Sequence, residues 1–101
     1  MSFHVIYEAE AQTEFREAVL QYEEQWEGRG IRFVREVDAV IEAIFTSPLR
    51  FPRAGRHARK ARVLGWPYSI YFAINEAHEE IKVVAVWHGK RNPAKLRQRL
   101  K

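Results

Sequence analysis

The stretch AVWHGKRNP, residues 85–93, carries an apolar run into a histidine, a glycine and two adjacent cations, with a proline after them. Residues of these types, met where a buried strand reaches water, allow two readings. They are either a solvated strand end or a cationic grip on phosphate. Candidates for other chemistry are fewer. His4, His57 and His78 show no metal-like spacing with each other or with a carboxylate pair, so no metal and no cofactor is expected. The chain has no cysteine, which removes thiolate ligands and a disulfide framework. Ser47 and Ser69 lack a neighbouring context for nucleophilic catalysis. Arg50, Arg53 and Arg56 read as plain surface charge in a loop, and Glu23 and Glu24 as helix surface.

The net charge of +4 hides an asymmetry. Residues 1–42 carry ten acids against four Lys/Arg, a balance of −6, whereas residues 43–101 carry three against thirteen, a balance of +10. No Asp or Glu occurs from Ala43 to Asn75. Charges solvate any surface, but segregation this strong points to a polyanionic or acidic partner. A chain of 101 residues, 47% hydrophobic and 30% charged, is expected to form a single domain, 1–101, with one modest core. The opening MSFHVIYEAE lacks the basic start and long apolar stretch of a signal peptide, and no apolar run approaches the roughly 20 residues that span a bilayer. A cytoplasmic protein without membrane contact is expected.

These residues need a scaffold. Residues 3–7 (FHVIY) are rich in β-formers and predict a short strand. Ala11, Phe15, Ala18, Val19, Tyr22 and Trp26 then recur at helical spacing, one apolar stripe of an amphipathic helix whose acids Glu8, Glu10 and Glu14 suit its N-terminus. The segment 27–30 (EGRG) breaks the pattern. A second stripe, Phe33, Val34, Val37, Val40, Ile41, Ile44 and Phe45, stops at Ser47-Pro48 because proline cannot continue a helix. The two stripes make an antiparallel αα-hairpin, with Trp26 and Phe33 expected in the core. Residues 48–58 read as a loop, and 59–64, 68–74 and 80–88 as strands joined by hairpin-sized links. Lys60 and Arg62 should share one strand face, Ala61 and Val63 the other. The run 81–87 is apolar nearly throughout after Lys82, which predicts a central strand covered on part of both faces. Pro93 opens a short C-terminal helix over 93–100. The expected fold is therefore α+β, with an N-terminal strand, the helical hairpin packed on a mainly antiparallel four-stranded sheet, and the short last helix.

The order of elements and four local motifs resemble the RelE/ParE superfamily of bacterial toxins, from type II toxin–antitoxin modules. The motifs are the alanine-led first helix, GIRFVREVDAVIEAIFTSPLRFP through the second helix and its exit, GWPYSIYFAI in the middle strand, and IKVVAVWHGKRNP at the end. The likeness covers nearly the whole chain. It implies a growth-inhibiting toxin held inactive by a cognate antitoxin that wraps around it. RelE-like members cut messenger RNA on the ribosome with basic and acid–base residues on the sheet's concave face. ParE-like members poison DNA gyrase and generally lack that set. The HGKRNP ending and the FP…GWPY spacing look more like the ParE branch.

A ribonuclease of the RelE type needs cations on the phosphate and a base and acid for the two oxygens. Lys60, Arg62, Lys90 and Arg91 are the available cations, and His88, at the end of the central strand, is the available proton carrier. The RelE-like alternative thus uses His88, Arg91 and Arg62. Against it, Ser69 stands where RelE-like members carry an arginine, and Ala94, Lys95, Leu96 and Arg97 stand where they place a terminal tyrosine. Each lost transition-state contact commonly costs about 2–4 kcal/mol, so two such losses lower the rate by several powers of ten. The leading expectation is a gyrase-binding toxin whose target- or antitoxin-binding residues are Arg59, Lys60, Arg62, Lys90, Arg91, Lys95, Arg97 and Arg99. The antitoxin is expected to carry an acidic, partly disordered segment with apolar anchors. A non-toxic basic nucleic-acid-binding module is the third reading, marked by steeply salt-dependent binding to naked DNA or RNA.

Overall fold

The computed structural model describes residues 3–101. Strand β1 (His4–Tyr7) leads into helix α1 (Ala9–Gln25), which turns back into helix α2 (Arg29–Thr46). The turn is tight because Gly28 adopts φ 88°, a conformation that favours glycine. The Glu23 carboxylate accepts the N–H groups of Gly28 and Gly30 at 3.0 and 2.9 Å, so it caps the start of α2 from the end of α1. At Gly30 the helices touch closely, and a Cβ there would lie 2.9 Å from the Val19 carbonyl oxygen.

The two stripes bury Ala11, Ala18 and Tyr22 from α1, and Phe33, Val37, Ile41 and Ile44 from α2. Each large side chain so buried stabilises the fold by about 1.5–3 kcal/mol relative to exposure. Trp26 departs from expectation. It is 54% exposed rather than core. It sits at the C-cap of α1, where the backbone has already turned extended, φ −166° and ψ 153°. The helical stripe therefore ends at Tyr22, and Trp26 leaves the buried face with the chain.

Ser47-Pro48 ends α2 in a single 3-10 turn, Pro48–Arg50, and the chain then enters strands β2 (Arg59–Arg62), β3 (Tyr68–Asn75) and β4 (Glu80–His88) before helix α3 (Pro93–Arg99). Strand β2 is shorter than the expected 59–64, although the Val63 N–H still donates to the Tyr68 carbonyl at 3.0 Å. The sheet order is β1-β4-β3-β2, with β2–β3 and β3–β4 antiparallel and β1–β4 parallel. The first strand thus lies beside the last. A register shift between Tyr71 and Phe72 leaves Val84 as the extra residue of a bulge in β4.

The faces of the sheet divide as the alternation requires. Ala61, Val63, Ile70, Phe72, Ile81, Val83 and Val86 meet the helical hairpin. On the outer face Tyr71, Ala85 and Trp87 meet Leu96 of α3, with Ala54 and Leu100 at the margin. Strand β4 is central and covered on part of both faces, as its unbroken apolar run predicts. No helix among the described residues is long and apolar enough to cross a membrane.

Candidate macromolecule-binding surface

Strand β1 stops at Tyr7, and the Glu8 N–H makes one more rung to the Val83 carbonyl at 2.9 Å. Beyond that point the edge of β4 has no neighbouring strand on this side. Two side chains replace it. The Val86 N–H donates to Glu14 at 3.0 Å, and the Val84 carbonyl accepts from the Arg99 guanidinium at 2.5 Å. Arg99 and Glu14 also join each other at 2.5 Å, and both are mostly buried, at 17% and 12% side-chain exposure. Arg91 donates to the same carboxylate and lies flat on the Trp87 ring, 3.8 Å from its centroid. Burial alone would lower the Arg99 pKa. The hydrogen bond and charge of Glu14, with Glu10 and Glu8 adding, outweigh it and hold the guanidinium above its ordinary value.

The surroundings of Arg91 answer the question raised by AVWHGKRNP. The cleft it borders, about 560 Å³, is walled by Glu10, Glu14 and Glu17 as well as Thr13 and Ala9. Three carboxylates against one guanidinium make this a poor berth for phosphate. His88 lies on the helix side of the sheet, edge-on to Tyr68 with ring centroids 5.0 Å apart. Its Nδ1 accepts the Lys90 N–H at 3.0 Å, which turns the ring toward its own chain. The Asn92 side chain accepts the Ala94 N–H at 2.9 Å, an N-cap that with Pro93 starts α3.

Arg62 is placed elsewhere. It pairs with Ser69 of β3, which pairs with Trp87 of β4, so Arg62 belongs to the outer face while His88 belongs to the inner one. The structure therefore keeps Arg62 on the face opposite His88, while the Arg91 N–H donates to the His88 carbonyl at 3.0 Å and its guanidinium turns to Glu14. Lys60 shares the outer face with Arg62, its ammonium 6.0 Å from the Tyr71 ring that Leu96 also covers. Arg59 points the other way and is anchored to carbonyls, donating to Phe51 at 2.7 Å and Leu49 at 3.3 Å. Lys90, Lys95 and Arg97 stand exposed around α3, and none has an ion pair among the described residues. No group of three or more potential ligands among the described residues could hold a metal ion.

Sequence reasoning missed Glu14 as the organiser of the C-terminal end. It stands 77 and 85 residues away from its two arginines, and the helix pattern reads it only as an acid suited to the N-terminus of α1. It also missed the aromatic patch at the hairpin turn. There the Arg29 guanidinium lies 4.1, 5.0 and 5.4 Å from the ring centroids of Trp26, Tyr22 and Trp66. Trp26, which leaves the core with the end of α1, meets the Arg29 cation there.

A family model described as the ParE toxin of the type II toxin–antitoxin system parDE matches residues 5–93. The comparison with curated proteins returns no match. Among solved structures, the chain is similar to a chromosomal ParDE toxin–antitoxin system from P. aeruginosa, with a TM-score of 0.68 at 15% identity over 87% of this chain and 96% of that one. It is also similar to the toxin–antitoxin complex RelBE2 from Mycobacterium tuberculosis, with a TM-score of 0.56 at 19% identity over 87% and 99% of the two chains. At such identities the two structures speak for the fold, and the family model speaks for membership. The chain belongs to the ParE toxin family of type II toxin–antitoxin systems, within the RelE/ParE superfamily.

Proposed function

We propose that this toxin arrests growth by binding DNA gyrase, acting in the cytoplasm as a docking protein and not as a nuclease, and that a cognate antitoxin with an acidic, partly disordered segment neutralises it. The observation that carries the reading is the separation of Arg62 from His88 together with the engagement of Arg91 by Glu14. Arg62 lies on the outer face, His88 on the inner face, and Arg91 is held by Glu14 in a negatively charged cleft. Phosphoryl-transfer chemistry depends on cations and a base converging on one phosphate. The exposed cations Arg62, Lys90, Lys95 and Arg97 favour steering and docking of a macromolecule over bond cleavage. Membership of the ParE family, with the resemblance set out above, supports gyrase as the target.

The test is a supercoiling assay with purified protein and gyrase, read for lost supercoiling and accumulated cleaved DNA. Both are expected. Undiminished supercoiling at stoichiometric excess, together with messenger RNA cuts on translating ribosomes that vanish in His88→Ala, would replace this reading with the endoribonuclease one.

A further inference from the structure

At the end of the sheet opposite His88, two clefts adjoin and share Leu49, Ile74 and Glu76. One, about 270 Å³, runs along Phe3, Pro48 and Leu49 and is mainly apolar. The other, about 220 Å³, is walled by Arg53, Arg56, His57 and Arg59. Leu49 stands at their junction with 65% of its surface exposed. Arg53 reaches the Arg56 carbonyl at 3.2 Å, and neither arginine has a carboxylate partner among the described residues. The loop that carries them is nevertheless firm. The Ala54 N–H donates to Ala58 at 2.8 Å, the Lys60 N–H donates to Pro52 at 2.9 Å, Arg53 bridges Arg59, and Gly55 turns the chain at φ 87°. Preformed cations beside a preformed apolar cleft lower the ordering cost of a ligand.

We propose that this two-part groove is the docking site of an acidic peptide segment carrying an apolar anchor, an inference that rests on the antitoxin reading above. The anchor fills the cleft of Pro48, Leu49 and Ile74, and carboxylates a few residues away meet Arg53 and Arg56, whose forked guanidinium groups suit them. Glu76 borders both clefts, and Arg50 stands beside the apolar one. Charge complementarity favours an acidic ligand, and Leu49 favours a peptide over nucleic acid. A phosphodiester backbone would satisfy the arginines and leave that leucine bare.

The experiment is an NMR titration of the ¹⁵N-labelled full chain with three probes. These are a synthetic peptide of one leucine flanked by glutamates, the same peptide with serine for leucine, and a single-stranded oligonucleotide of equal charge. With the leucine peptide, amide shifts are expected to map to Leu49, Arg53, Arg56 and Ile74. The serine peptide should bind about tenfold more weakly, and the Arg53→Gln/Arg56→Gln variant should bind the leucine peptide about fivefold more weakly. Absent shifts, shifts centred on α3, equal binding of the serine peptide, or an oligonucleotide that gives the same map at equal strength would each overturn the proposal. Growth arrest on induced expression of the wild-type chain is read separately. Arrest without the map rejects the groove alone, and the map without arrest supports the groove while rejecting the toxin reading.

Discussion

The two basic regions of this molecule are built oppositely. Around α3, Arg91 and Arg99 converge on Glu14 over the Trp87 ring, and their charge closes the open edge of β4. In the loop before β2, the Arg53 guanidinium donates to the Arg56 carbonyl, and neither arginine has a carboxylate partner among the described residues. The cause is topological. Helix α1 starts where β1 stops, so its second turn passes over the bare half of β4 and delivers an acid there, whereas the stretch from Ala43 to Asn75 contains no acid at all. A count of positive charges treats the regions alike. Their surroundings make one a structural clamp and the other an open surface.

The sharpest way to break this comparison is to remove the shared carboxylate. Glu14→Ala leaves the mostly buried Arg99, the more exposed Arg91 and the Val86 N–H without their shared acceptor, and should cost about 3 kcal/mol, a fall of roughly 15 °C in Tm. Glu14→Gln, which keeps an acceptor for Val86, should lose about 1 kcal/mol. Thermal unfolding followed by circular dichroism measures both. Equal, negligible losses would mean that the clamp holds nothing.

The regions meet at one glycine. A Cβ on Gly55 would lie 3.0 Å from the Leu100 Cβ, at a φ of 87° that side chains rarely adopt. Gly55→Ala should therefore cost about 1–2 kcal/mol, visible in urea unfolding, and should speed amide exchange in α3. Unchanged exchange there would separate the two regions mechanically.

Alkaline pH challenges the setting of both. Burial raises the pKa of Tyr71, which lies beneath α3 and beside Lys60, and raises those of Tyr7, Tyr22 and Tyr68 in the helix-side core. A raised folded-state value means that the protonated form is stabilised by folding. Stability is then complete below the ordinary tyrosine value of 10.0 and is lost as pH rises through the higher folded values. Tm should be level below 10.0 and decline above it, with a shallower decline in Tyr71→Phe. Arg99 should contribute nothing in this window, because it is held above its own, higher ordinary value. The smallest effect belongs to the open loop. Arg53→Gln/Arg56→Gln should shift stability by no more than about 0.5 kcal/mol in urea unfolding, since nothing in the fold leans on those charges.

What the sequence made legible was local. Apolar spacing read out both helices, Ser47-Pro48 read out the end of α2, and the solid run 81–87 marked the central strand. Alternation also put Lys60 and Arg62 on the outer face, away from Ala61 and Val63. Trp26 failed that logic, since periodicity continues on paper after the helix has ended. The clamp was illegible for another reason. No spacing rule links Glu14 to Arg91 and Arg99, and only the parallel placement of β1 beside β4 brings them together. The charge asymmetry was visible, but which cations it leaves open depends on those distant pairings.

That parallel pairing has a consequence for synthesis. Residues 4–7 can join the sheet only when residues 80–83 have been made, so the first strand waits for a partner far along the chain. A contact of such long sequence separation forms late and makes folding slower than it is for locally wired helical proteins. On the translating ribosome the helical hairpin therefore exists before any sheet can close beneath it, with its apolar stripe uncovered. The four-stranded sheet is finished only once β4 is in place, since that strand joins β1 on one side and β3 on the other.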